Sequence, residues 1–272
     1  IKVYYGYSKD HVKGQDACSR YECTDPVVEQ QIRNGSNIYT QISCLSSEGY
    51  GGELYFYVAV GVAAGTRSVL TTSALWSNML NASLGYSIPT VAKIYDIYGT
   101  ASPQSYSTKG GEMITIVGTN FGPATCTGDV SMGYGLKYVG TDSKYSATNC
   151  KVEVNHTLMS CLTVSGVGKD LPLFVTIKGQ ESNLDATSSS VNVGYIAPTV
   201  TKVLGAGLNG GSTTGGATLI IEGTEFGPVG EIWTPNVTYG PTGREYQAVT
   251  CYVPSPGYTK ISCLTGEGTG AN

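Results

Sequence analysis

Charge is scarce in this sequence: Asp, Glu, Lys and Arg together make up 13% of 272 residues. With a net charge of −4 and a pI near 5.2, no basic face exists to displace counterions from a phosphate backbone, which excludes nucleic acid as a partner. Long apolar runs are missing too. The best candidate, Leu54-Tyr-Phe-Tyr-Val-Ala-Val60, has strand length, so no segment spans a bilayer as a helix. Only two histidines occur, His11 and His156, and neither belongs to a metal or triad constellation. There is no C-x-x-C pair, phosphate loop, Gly-x-Ser-x-Gly elbow or His-Glu-x-x-His, so the chain reads as non-enzymatic, without catalytic, metal or cofactor residues. The densest acidic patch, Asp10, Asp16, Glu22 and Asp25, lacks the fixed spacing of a calcium loop and reads as solvated.

What is abundant are Gly (37) and Tyr (20), against 4 Phe and 2 Trp, the composition of an all-β protein with many turns. Eight cysteines argue for an oxidising compartment, and the chain starts at Ile1, as a processed or excerpted chain does. Four N-x-S/T sequons, at Asn34, Asn81, Asn155 and Asn236, are weak evidence alone but fit an extracellular or cell-surface glycoprotein with N-linked glycans.

Self-similarity organises the rest. Thr108-Lys-Gly-Gly-Glu-Met-Ile-Thr-Ile-Val-Gly-Thr-Asn-Phe-Gly-Pro123 recurs as Thr213-Thr-Gly-Gly-Ala-Thr-Leu-Ile-Ile-Glu-Gly-Thr-Glu-Phe-Gly-Pro228. Gly85-Tyr-Ser-Ile-Pro-Thr-Val91 returns as Gly194-Tyr-Ile-Ala-Pro-Thr-Val200, a period of 109 residues and the length of one sandwich domain. Ser-Cys-Leu appears three times, ending at Leu45, Leu162 and Leu264. Leu54–Gly61 echoes Pro172–Gly179, and Val3-Tyr-Tyr-Gly6 echoes both Val130-Ser-Met-Gly133 and Val237-Thr-Tyr-Gly240. Residues 1–88 thus read as the later part of one module, 89–197 as a complete one and 198–272 as the earlier part of a third. Both end modules contain the middle of the repeat, so the chain reads as a window on a longer array; the competing explanation is strand donation by a neighbouring chain.

Gly110-Gly111 and Gly215-Gly216 supply the positive φ of a tight turn before Met113–Val117 and Ala217–Ile221, which are apolar and β-branched enough to be core strands. Phe121 and Phe226 read as plugs at the sandwich end, where Gly and Pro turn the chain away. This Pro-Thr-Val, Gly-Gly, Gly-Thr-x-Phe-Gly-Pro series resembles the opening half of an IPT/TIG domain. The resemblance implies tandem immunoglobulin-like β-sandwiches of the kind used in plexin-type and fibrocystin-like ectodomains and in surface proteins.

Aligning the repeats pairs Cys23 with Cys44, Cys150 with Cys161 and Cys251 with Cys263. Cys18 and Cys126 have no counterparts; whether they bridge each other, another chain or an upstream cysteine stays open. The links Tyr86–Val91 and Tyr195–Val200 are short and contain Pro, which limits swing between neighbours and predicts a semi-rigid rod. The leading expectation is a structural subunit of an extracellular glycosylated fibre, surface coat or appendage, partnered by further copies or modules of itself. The alternative is the stalk of a receptor or adhesin ectodomain. A carbohydrate-binding accessory module is disfavoured because Trp76 and Trp233 are not at equivalent positions.

Overall fold

The structure, a computed structural model, describes residues 1–7, 18, 20–34, 37–61, 75–95, 104–135, 145–182, 191–230 and 234–270. Its described residues are nearly all strand and turn, with two short 3-10 turns at Thr127–Asp129 and Ala206–Asn209. The strands fall into three groups of sheets that follow one another along the chain.

The central group is a complete immunoglobulin-like sandwich. One sheet runs Thr148–Val154, Leu158–Leu162, Met113–Thr119, Thr90–Tyr95; the other runs Tyr145–Ser146, Val130–Tyr134, Leu171–Ile177, Asn192–Tyr195, Gln104–Tyr106, the last pair parallel. In Met113–Thr119 alternate residues are buried, as expected of a strand with one face on the core: Ile114 and Ile116 are wholly inside. They join Ile94, Met132, Met159, Val175, Ile177 and Val193 in one cluster spanning both sheets. Phe121 and Phe226 are buried members of their modules' clusters, and all four turn glycines, Gly110, Gly111, Gly215 and Gly216, have positive φ.

The C-terminal group repeats the first sheet as Val249–Tyr252, Lys260–Leu264, Thr218–Thr224, Thr199–Leu204, faced by the pair Thr238–Tyr239 and Tyr246–Gln247. The N-terminal group repeats the second sheet: Arg20–Glu22, Lys2–Gly6 and Leu54–Val60, with Leu75–Trp76 and Leu80–Leu84 on Leu54–Val60. Facing it is the hairpin Thr24–Asn34 with Asn37–Leu45.

Two echoes read from the sequence need correction. Tyr5 and Tyr134 occupy the same place, because Tyr5 pairs with Phe56 as Tyr134 pairs with Leu173, and each makes the same hydroxyl contacts. Val3-Tyr-Tyr-Gly6 therefore matches Met132-Gly-Tyr-Gly135, two residues beyond Val130–Gly133. A two-residue slip leaves the same side chains facing the core, so alternation cannot detect it. In the neighbouring strand Leu54 matches Leu171, not Pro172; both leucines are buried and pair with the strand that closes their sheet.

Candidate functional site

No described cluster of three or more His, Cys, Asp or Glu is arranged to hold a metal ion, and no described helix is long and apolar enough to cross a membrane. What the fold builds twice is a junction between successive modules, and its parts start from three tyrosines in each of the N-terminal and central modules. In the central module Tyr134 and Tyr195 share a hydrogen bond of 2.9 Å, Tyr195 donates to the Val164 carbonyl at 2.7 Å, and the Val164 amide donates to the Tyr134 hydroxyl at 3.0 Å. Tyr145 grips Val167 from both sides, accepting from its N–H at 2.9 Å and donating to its C=O at 2.6 Å.

The N-terminal module repeats this with Tyr5, Tyr86 and Tyr21. Tyr86 donates to the Ser47 carbonyl at 2.7 Å, the Ser47 amide donates to the Tyr5 hydroxyl at 2.8 Å, and Tyr21 holds the Tyr50 amide and carbonyl. Even the ring geometry returns, with Tyr21–Tyr86 edge-on at 69° and Tyr145–Tyr195 at 67°. The C-terminal module has Tyr239 on Gly266 and Tyr246 on Thr269. In each case the tyrosines fix the loop that follows Ser-Cys-Leu, and the sixth residue after its cysteine is Tyr50, Val167 or Thr269. Burial pushes the hydroxyls of Tyr7, Tyr21, Tyr86, Tyr134, Tyr145 and Tyr195 above the ordinary phenol range.

That sixth residue is the seat for the next module's Phe-Gly-Pro loop. At the first junction the Tyr50 ring lies against Gly122 and is buried in the central module's own core cluster. At the second, Val167 lies against Gly227. Both glycines have positive φ and no room for a side chain, which is why the sequence keeps Gly in both loops.

Around the first seat, the Tyr50 hydroxyl donates to Asp129 at 2.8 Å, and Lys178 reaches Asp129 at 2.8 Å while lying 4.9 Å above the Tyr7 ring. Gln180 donates to the Tyr86 carbonyl at 3.0 Å, and Glu48 meets His156 Nε2 at 2.6 Å. Cys18 and Cys126 are joined by a disulfide, the open possibility in which the two unmatched cysteines bridge each other and so tie the modules covalently. The second junction is held differently. Glu225 accepts from the Thr108 amide and hydroxyl, each at 2.6 Å, and from the Ser107 hydroxyl at 3.2 Å, and Lys109 lies 6.0 Å from the Tyr258 ring. Burial acts to raise the Glu225 carboxyl, but the Thr108 and Ser107 donors outweigh it and hold it below its usual range.

The aligned residues Asn120 and Glu225, and the left-handed hairpin-tip residues His156 and Tyr258, thus carry junction-specific chemistry on a shared frame. The sequence shows these positions as the places where otherwise matching loops differ. The tyrosine clamps went unread because they are long-range pairs.

The remaining sequence-predicted sites are placed as follows. Cys23–Cys44, Cys150–Cys161 and Cys251–Cys263 are bonded pairs, the last two with Cα atoms 4.1 Å apart on neighbouring strands. Asn155 is exposed at the first junction, where its Oδ1 accepts from the Ala124 amide at 2.9 Å and its Nδ2 lies 3.3 Å from Glu48. Asn236 is exposed, with Oδ1 accepting from Gln247. Asn34 ends the strand Thr24–Asn34 and Asn81 lies in Leu80–Leu84; their side chains lie outside the description. His11, Asp10, Asp16 and Trp233 also lie outside the described residues, while Glu22 pairs with Lys2 at 2.8 Å and Asp25 is exposed.

Comparison with known proteins gives one family match, to the IPT/TIG domain, over residues 97–195. It begins just after Thr90–Tyr95, the strand that enters the central sandwich. No curated protein matches. Two of the solved structures that match do so at low similarity. The full extracellular region of plexin A4 is 14% identical, with a TM-score of 0.31 over 99% of this chain and 18% of that one. A crystal structure with a xylogluco-oligosaccharide is 15% identical, with a TM-score of 0.30 over 92% and 51%. The chain therefore spans about a fifth and about half of those two proteins. Residues 97–195 match the IPT/TIG domain model, and sheets that repeat those of the central sandwich lie on both sides of it along the chain.

Proposed function

We propose that this chain is a spacer: an extracellular stack of immunoglobulin-like modules that serves as the stalk of a cell-surface ectodomain and does no catalysis. The observation that carries the reading is the repeated seat, Tyr50 under Gly122 and Val167 under Gly227, which sets each module on the last by the same contact. A binding head needs no such periodicity; a stalk that must hold a fixed reach does. Eight cysteines in four disulfides suit an oxidising exterior, and Asn155 and Asn236 stand exposed as sites for N-linked glycans. Small-angle scattering of the full chain is the test. A rod whose length equals three stacked modules supports the spacer, and a broad distribution of bent forms refutes it.

A subunit of an extracellular fibre is the second reading. It is favoured by the same junction, because modules of one chain set on one another by a repeated contact extend in one direction, the arrangement a fibre needs.

A further inference from the structure

The two junctions stand on one frame but differ at matched positions, and the differences run in opposite directions on the two sides of the contact. In the loop after Ser-Cys-Leu, the N-terminal module carries Glu48 where the central module carries Ser165, each the fourth residue after its cysteine. On the module that follows, Gly-Thr-x-Phe-Gly-Pro holds Asn120 at the first junction and Glu225 at the second. The hairpin tip changes as well, from Asn155-His156 to Gly257-Tyr258. The tips correspond residue for residue. His156 donates its amide to the Gly122 carbonyl and accepts from the Phe121 amide, as Tyr258 does with Gly227 and Phe226.

At the first junction the preceding module brings the carboxylate and the tip brings the donors: Glu48 accepts from His156 Nε2 at 2.6 Å and from Asn155 Nδ2 at 3.3 Å. At the second junction the roles are exchanged. The carboxylate is Glu225 of the following module, and the preceding module supplies the Thr108 amide and hydroxyl, with Lys109 beside the Tyr258 ring. A wrong pairing loses on both sides. Against Glu48, Tyr258 has no ring N–H to donate and brings the negative face of an aromatic ring to a carboxylate. Against Thr108, Asn120 offers a neutral oxygen, and the hydrogen bonds lose their charge assistance. The backbone gives an independent sign of selection. All four residues lie in the left-handed region, Asn120 and His156 at φ +62° and Glu225 and Tyr258 at φ +60° and +70°. Asn and His are at ease there, whereas Glu and Tyr carry strain, yet the second junction has Glu and Tyr at the two positions that make its contacts.

We propose that these residues fix the order of the modules: the seat with Glu48 takes an Asn-His tip, and the seat with Thr108 and Lys109 takes a Glu-Tyr tip. The partner of each seat is therefore one particular module of the same fold. The apolar part of the seat, Tyr50 or Val167 against glycine, supplies contact without choice, and the polar rim supplies the choice. Similar modules packed close together then keep their own neighbours. This deepens the spacer reading and rests on the same two seats.

The test uses the full oxidised chain with labelled valine methyls and reads the nuclear Overhauser contact between the Val167 methyls and the Gly227 α-protons, which exists while the second seat is closed. Glu225→Asn with Tyr258→His gives the second junction the tip of the first. Both changes relieve left-handed strain, so the C-terminal module is expected to melt no earlier than in wild type while most of the Val167–Gly227 contact is lost. Adding Ser165→Glu, at an exposed position, rebuilds the pairing of the first junction and is expected to restore the contact. Ser165→Glu alone sets a carboxylate beside Tyr258 and is expected to weaken it, which decides the matter if the double variant does not fold. A contact of wild-type strength in the double variant or in Ser165→Glu, or no recovery in the triple variant, overturns the proposal. Rod length from scattering judges the spacer separately: a bent wild type whose contact still follows tip and seat refutes the spacer and keeps the order, and a straight rod with an indifferent contact does the reverse.

Discussion

A Cβ added to Gly122 would lie 2.8 Å from Cδ1 of Tyr50, and one added to Gly227 would lie 2.5 Å from Cγ1 of Val167. Both glycines also sit at positive φ, so alanine there carries two costs, backbone strain and displacement of the neighbouring module. Gly111 separates the two, because it has φ +82° and nothing within 4 Å of an added Cβ. Gly111→Ala is expected to lower stability by about 1–2 kcal/mol from strain alone, without changing the scattering profile. Gly122→Ala and Gly227→Ala are expected to lower it further and to broaden the distribution of inter-module angles. Equal profiles for all three variants would remove the seat from the account.

The tyrosine clamps make a second prediction. Tyr195→Phe deletes the donor to the Val164 carbonyl and the partner of the Tyr134 hydroxyl in a buried setting, and is expected to cost about 1–3 kcal/mol in denaturant melts. These hydroxyls have pKa values raised by burial, so the folded state keeps its protons when the unfolded chain begins to lose them near pH 10. Stability is therefore unaffected below that pH and falls above it. Phenolate absorbance should rise in two stages, exposed tyrosines first and the clamps together with unfolding. A single smooth titration with no loss of structure would contradict the burial argument.

Much of this architecture was legible because it repeats in sequence. The Gly-Gly turn, the alternating strand Met113–Thr119 and the Phe-Gly-Pro loop are local patterns, and aligning two copies shows which positions must stay fixed. The Cys150–Cys161 and Cys251–Cys263 pairs follow from adjacency across one hairpin. Register across the second sheet was not legible to the residue: period-2 alternation is unchanged by the slip of two at Val3–Gly6, and the slip of one at Leu54 passed unseen because Leu171–Ile177 is buried along most of its length and does not alternate. Nor was the junction: Tyr50 with Asp129, or Glu225 with Thr108, are contacts over 79 and 117 positions, and their residue types are ordinary turn residues until the fold brings them together.

The Cys18–Cys126 bridge has a sequence separation of 108 and crosses from one module to the next. Replacing both cysteines by serine should leave the intrinsic stability of the central module nearly unchanged and act on the first junction. In the chain-entropy account a bridge closing about 100 residues contributes up to about 4.7 kcal/mol, against about 3 kcal/mol for one closing about 15. The expected result is an earlier, separate melting step for the N-terminal module, with unchanged melting for the rest. Cooperative melting identical to wild type would mean that Tyr50, Lys178 and Glu48 hold this junction without it.

Glu225 makes the second junction sensitive to acid. Its folded pKa lies below the ordinary carboxylate value, so the contribution of its bonds to Thr108 and Ser107 is complete above about pH 4.3, the unfolded value, and is lost as pH falls through the lower folded one. Glu245 is held down as well, to about 2, by the Thr242 hydroxyl, but that bond stays within one turn of the C-terminal module and does not act across the junction. Scattering recorded from neutral to acid pH should therefore show the C-terminal module swinging free of the central one, while the disulfide keeps the first junction closed. Glu225→Gln removes the charge at all pH values, and is expected to give a looser junction at pH 7 that no longer responds to acid. An acid transition of equal size in Glu225→Gln would assign the hinge to another group.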